Sequence, residues 1–195
     1  MSAPLTLVDI VDHRAYEAER ADFRAHIIAL KARRRVGVGP FVTFLFENRD
    51  TMRFQIQEVA RAERMMTDAA IQVELDTYNP LLPSGGELSA TMFLELTSEA
   101  ALREWLPRLV GVERCVGIML ANGVFVSAVL EAAHAAQLTR DDTTSCVHYI
   151  RFGFDPEARA AFGEGASLCV RHPEYLYSTD LSSAAVAELL GDLAQ

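Results

Sequence analysis

The sequence predicts an α+β fold: one domain over residues 1–195, with a largely antiparallel sheet and helices packed on one face. Three observations carry this. The strand-like segments come as hairpins rather than in strict β-α alternation. The dipeptide Asn122-Gly123 separates two apolar runs, a short-range hairpin signal. Half of the 195 residues are hydrophobic and 23% are charged, a composition that can bury a real core within one domain of ordinary size.

The elements follow in order. Tyr16, Phe23, Ile27 and Leu30 form one stripe at helical spacing, so a helix is expected from about Ala15 to Arg35. Gly37, Gly39 and Pro40 break it. Phe41 to Phe46 is aromatic and β-branched and reads as a buried strand. Asn48 is placed to cap a helix reaching about Met66, where Thr67-Asp68 interrupts it and a short helix continues to about Tyr78. Asn79-Pro80, Pro83 and Gly85-Gly86 mark a turn-rich loop. Leu88, Ala90, Met92 and Leu94 alternate with Ser89, Thr91 and Phe93, the pattern of a half-buried strand. Ser98 caps a helix carrying Leu102, Trp105, Leu106 and Leu109.

The hairpin is expected from Arg114–Leu120 and Val124–Leu130 around Asn122-Gly123, with positive φ at both turn residues in a type I′ geometry. Residues 131–144 are small and polar and read as a loop with a helical turn. Ser145 to Phe154 forms a further strand, and Asp155-Pro156 opens a helix. Short strands near Leu168–Arg171 and Tyr175–Thr179 and a closing helix from Ser182 to about Leu193 complete the chain.

The net charge of −9 disfavours nucleic acid and anionic membranes as partners for the surface as a whole. Lys31, Arg33, Arg34 and Arg35 are a local exception, read as cations offsetting the dipole at a helix C-terminus. No apolar run reaches the roughly 18 residues of a membrane span. The N-terminus lacks a basic region followed by an apolar one, so no signal peptide is expected. Cys115, Cys146 and Cys169 are odd in number and widely spaced, which argues against a disulfide framework and for a cytoplasmic location.

Candidate chemistry concentrates between Glu47 and Glu87. At about 100° per residue, Glu63 projects into the stripe of Met52, Ile56, Val59 and Met66. Glu74 sits inside the stripe of Ile71, Leu75 and Tyr78 on the next helix. A buried carboxylate is costly unless it is paired, hydrogen-bonded or bound to metal. Both are therefore expected to be mostly buried against Arg61, Arg64, Gln55, Gln57 or Tyr78, or a metal ion. The bland reading is a network that fixes helix packing. The sharper one is an enzyme using Glu63 or Glu58 as a base or metal ligand, with Arg61 beside it. Glu47-Asn48 ends a strand and starts a helix, either a plain cap or a binding junction. His148 shares a strand face with Cys146, Ile150 and Phe152 and reads as a core histidine, since no third ligand stands at metal spacing. No phosphate-binding glycine loop, dinucleotide fingerprint or nucleophile elbow is present.

Several motifs resemble an uncharacterised bacterial family, domain of unknown function 3501. They are Arg34-Arg35-Val36-Gly37-Val38-Gly39-Pro40, Phe46-Glu47-Asn48 with Thr51, and Gln55-Ile56-Gln57-Glu58 with Arg61 and Glu63. Tyr78-Asn79, Leu81, Pro83 and Glu87-Leu88 with Ala90-Thr91 continue the match. The specific motifs lie between Arg34 and Thr91, and the C-terminal half agrees in general pattern. The resemblance implies a genomic setting near rubrerythrin-like proteins and iron–sulfur oxidoreductases of the heterodisulfide-reductase type. This chain lacks the cysteine cluster of an iron–sulfur protein, so any such cluster or di-iron centre belongs to the partner. The expectation is a non-redox accessory or binding protein with a surface of Glu47, Asn48, Gln55, Gln57, Glu58, Arg61 and Glu63. The small enzyme is the alternative. Cofactor, metal and homo-oligomeric state stay open.

Overall fold

The computed structural model describes residues 3–131 and 142–194. Most of the expected loop at 131–144 lies outside them. The fold is α+β, and its strands divide between two antiparallel sheets.

The first helix, α1 (His13–Arg34), starts at Asp12, whose side chain accepts from the Ala15 amide. It runs directly into β1 (Arg35–Val38), which pairs with β2 (Val42–Glu47) through a tight turn. The sequence reading ended the helix in a glycine-proline break and had no strand here. Four residues with two glycine or arginine positions are too short for alternation to register. Gly39 at the turn has φ of 72°, and a β-carbon there would stand 2.6 Å from the Tyr175 hydroxyl and 2.7 Å from the Tyr177 ring. That close approach lets the Tyr175 hydroxyl donate to Val38 O and accept from the Phe41 and Val42 amides.

Asn48 caps α2 (Arg49–Ala62) reciprocally with Thr51. Thr67 caps α3 (Asp68–Tyr78), and Ser98 caps α4 (Glu99–Arg108) after β3 (Glu87–Leu94). Next come β4 (Val116–Leu120), β5 (Phe125–Ser127), β6 (Val129–Leu130) and β7 (Val147–Gly153). The chain closes with α5 (Pro156–Glu164), β8 (Ala166–His172), β9 (Tyr175–Asp180) and α6 (Ser183–Leu193).

One sheet has the order β1-β2-β3-β7-β6, the other β5-β4-β8-β9. The expected strand from Val124 to Leu130 is two strands in different sheets. Its chain crosses between them at Ala128, whose amide donates to Val116 O. The hairpin at Asn122-Gly123 forms, but only Gly123 has a positive φ, at 84°. The Gly123 amide donates to Leu120 O, and the Leu120 amide donates to Val124 O. The loop is therefore three residues ending in a left-handed glycine, rather than the two-residue type I′ turn.

The main core joins the two sheets. Phe44 and Phe46 of β2, Ala90 and Met92 of β3 and Ile150 and Phe152 of β7 meet Ile118, Leu168 and Val170, with α5 and α6 closing the layer. The other face of β2, β3 and β7 is also covered. Met52 and Ile56 of α2 and Leu75 of α3 pack there with Leu5, Leu81 and Leu82. Ser89 and Thr91 are consequently buried, so β3 is covered on both faces rather than half-buried.

Arg34 is fully buried where α1 meets β2 and α6. It donates to the carbonyls of Phe46 and Glu47 and pairs with Glu188 and Asp192. Its neighbours Arg33 and Arg35 are exposed, in line with the helix-end reading, but Arg34 holds the layers together. Cys115, Cys146 and Cys169 are free thiols. His148 is buried, and its Nε2 lies 3.0 Å from both Thr144 Oγ1 and Ser145 O. Burial lowers its pKa, with Glu113 and the Ser145 carbonyl opposing the shift. Among the described residues, no helix is long and apolar enough to cross a membrane.

Candidate functional site

Strand alternation puts Thr43, Leu45 and Glu47 of β2 on the face opposite the main core. The register aligns Leu45 with Arg35 and Thr91, and Thr91 with Tyr149. Over this row, the end of α1, the first turns of α2 and the end of α3 leave a pocket of about 230 Å³. Its floor is Glu47, Thr51 and Thr91, and its apolar wall is Leu45, Met52, Leu81, Phe93 and Val147. Tyr78, Tyr149 and Gln55 flank it, and Lys31 and Arg35 supply positive charge.

Glu47 is 4% exposed. Its Oε1 accepts from the Thr91 hydroxyl at 2.7 Å and its Oε2 from the Thr51 hydroxyl at 2.6 Å. The Thr51 oxygen itself accepts from the Asn48 amide, so the helix cap orients the donor. Burial pushes the Glu47 pKa up, while the two hydroxyls and the more distant Lys31 and Arg34 oppose the shift. Tyr149 is raised by burial too, with Tyr78 and Glu47 beside it. The arrangement is a carboxyl group held in a fixed orientation at the bottom of a partly apolar pocket, an environment in which charge interactions are strong.

Gln57, Glu58 and Arg61 lie elsewhere on α2. Gln57 is 2% exposed and exchanges two hydrogen bonds with the Val11 backbone, tying down the N-terminal segment. Glu58 accepts from the Tyr16 hydroxyl at 2.7 Å and from Arg20 at 2.8 Å through both nitrogens. The Arg20 guanidinium holds the Glu58 pKa at about 2. Arg61 pairs with Glu17. Gln57 and Arg61 line a second pocket of about 170 Å³ with Tyr16, Asp12, His13 and Ile71. Asn48 serves the cap. Of the nine residues singled out by sequence, Glu47, Gln55 and Tyr78 meet in the first pocket and Gln57 and Arg61 in the second, while the other four line neither.

The expected burial of Glu63 and Glu74 is corrected. Helix α2 stops at Ala62, Glu63 takes the C-cap at φ of −91°, and Arg64 turns left-handed at 52°. Glu63 is therefore exposed and off the apolar stripe, and Met66 is 80% exposed. Glu74 is half-buried, with its pKa raised by burial and by nearby Glu63. Among the described residues, neither carboxylate has the expected arginine, tyrosine or glutamine partner, and no group of three acidic, histidine or cysteine side chains could hold a metal ion.

Sequence reasoning passed over Lys31, Thr51 and Tyr149. Alternation along Val147, Tyr149 and Arg151 carries the signal for Tyr149, opposite the face assigned through His148. Thr51 is the third residue of the helix, the position from which a side chain reaches back to the cap. Lys31 carries no separate signal, because it sits among the basic residues at the end of α1.

The family model described as "Protein of unknown function (DUF3501)" matches residues 4–193. No curated protein matches the chain. A crystal structure of a novel protein of unknown function from Burkholderia pseudomallei K96243 is 34% identical, with a TM-score of 0.89, covering 98% of this chain and 100% of that one. The chain belongs to the DUF3501 family.

Proposed function

We propose that the chain is a binding protein whose ligand site is the Glu47 pocket, and that it serves as a non-redox accessory to a redox pair. The partner side of the proposal comes from the family resemblance, with rubrerythrin-like and iron–sulfur oxidoreductase proteins as partners that carry the metal chemistry. The ligand side is supported by one observation above the others: a buried carboxyl, fixed by two threonine hydroxyls, at the floor of an open pocket. Concave, partly apolar sites with a few convergent polar groups are the usual form of small-molecule sites.

The second reading is a small enzyme. A carboxyl whose pKa is raised by burial suits a general base, and Glu47 has that property. Glu58 suits the role less, because Arg20 keeps it a weak base, and Glu63 lies in open solvent.

The test is a thermal-shift screen of small organic acids, amines, amino acids and alcohols against the intact chain and the Glu47→Gln variant. The expected result is at least one compound that raises the melting temperature of the native chain and fails with the variant. No stabilising compound, or only compounds that ignore the variant, would overturn the pocket assignment. Turnover of a hit, lost in Glu47→Gln, would select the enzyme. Co-purification with neither class of redox partner would remove the accessory role.

A further inference from the structure

Two groups of opposite charge face the same pocket with bonding capacity left over. An ionised carboxylate offers about four acceptor sites. Glu47 uses two, one on each oxygen, and both donors are neutral hydroxyls. Lys31 is half-buried at the pocket's edge, and among the described residues it has no carboxylate within ion-pair distance. Its ammonium lies over the Phe54 ring, 5.5 Å from the centroid. The other pocket cation, Arg35, is already paired with Glu95 at 3.1 Å and lies over Phe93. Lys31 and Glu47 do not close the gap between them with a salt bridge. Leu45, Met52 and Leu81 line the same pocket and offer apolar surface to a short hydrocarbon stretch.

A neutral ligand leaves both charges unanswered. A simple anion answers Lys31 and adds repulsion at Glu47, and a simple amine does the reverse. Resting on the binding-pocket reading above, we propose that the ligand is a small zwitterion, an amino acid whose ammonium group sits on Glu47 and whose carboxylate sits on Lys31. The ammonium has three donors to offer the free lone pairs of Glu47, and the Tyr78 and Tyr149 rings beside that carboxylate suit a cation. The carboxylate meets Lys31 nearer the solvent. A net-neutral ligand with separated charges also avoids the general repulsion that a chain of net charge −9 exerts on anions.

The experiment titrates three matched series into the full chain by calorimetry: linear amino acids from glycine to aminohexanoate, the corresponding fatty acids, and the corresponding alkylamines. The expected result is one chain length at which the amino acid binds at least about tenfold tighter than both its acid and its amine. Lys31→Met should erase the advantage over the amine, and Glu47→Gln the advantage over the acid. The isostere comparison uses the native chain and stands even if a variant fails to fold. An acid or amine that binds as tightly as every amino acid overturns the zwitterion. Silence of all three series also overturns it, and the broader thermal-shift screen then separates the cases. Glu47-dependent hits of another class leave the binding pocket standing without the zwitterion, whereas no hits at all remove both.

Discussion

Arg34→Met tests what holds the layers around the pocket. The guanidinium is fully buried and donates to two main-chain carbonyls as well as to Glu188 and Asp192. Methionine keeps much of the volume and strands those acceptors. Asp192 is only 8% exposed, so it would face the loss almost without water. Removing one partner of a buried ion pair costs about 3–5 kcal/mol, a large share of the roughly 5–15 kcal/mol that stabilises a typical domain. Burial already raises the Asp192 pKa even with Arg34 in place. Without Arg34 it rises further, and the sign follows. A raised folded pKa gives stability that is present below the unfolded carboxyl pKa and lost as pH rises through the folded one. The variant should therefore lose least near pH 4 and most near pH 8. Urea unfolding at the two pH values reads both effects. Arg34→Met combined with Asp192→Leu should recover a good part of the loss, because an apolar replacement of a buried pair is often neutral. A loss below about 1 kcal/mol at pH 8, or a double variant no better than the single one, would refute the buried-network account.

Three further outcomes are expected. Glu58 is held ionised to a pKa of about 2, so its contribution is complete above the unfolded value and lost as pH falls from about 4.5 towards 2; Glu58→Gln should flatten that acid limb and cost about 1 kcal/mol at pH 7, allowing for its partial exposure. Gly39→Ala meets both a positive φ and the Tyr175 hydroxyl, and should lower stability by about 1–3 kcal/mol in a melting experiment. Glu63→Ala, at an exposed helix end, should leave the urea midpoint unchanged; a clear loss would restore the buried role that the helix phase suggested.

Much of the fold could be read from local patterns. The caps at Asn48, Ser98, Asp155 and Ser182 are where serine, asparagine and aspartate precede apolar-periodic runs. The alternation of β3 identified the face that enters the main core. Three features depend on contacts far apart in sequence and left no local trace. Arg34 is buried because Asp192 and Glu188 come to it from the last helix. Ala128 marks a strand change because two sheets pass there. Ser89 and Thr91 are buried because α2 and α3 lie over them. The site was half legible for a related reason. Glu47, Gln55 and Tyr78 were picked from neighbouring elements, whereas Thr91 and Tyr149 complete the pocket only through the pairing of β2, β3 and β7. The error at Glu63 comes from extending the period of α2 four residues past its last helical residue, Ala62, where the helical wheel no longer applies.

The most direct measurement of the central claim is amide and methyl chemical-shift mapping of the native chain with each stabilising compound. The account expects shifts that centre on Glu47, Thr91, Tyr78 and Tyr149, saturate with concentration and disappear in Glu47→Gln. Shifts centred instead on Tyr16, Gln57 and Ile71, around the second pocket, or scattered over the surface without saturation, would contradict it.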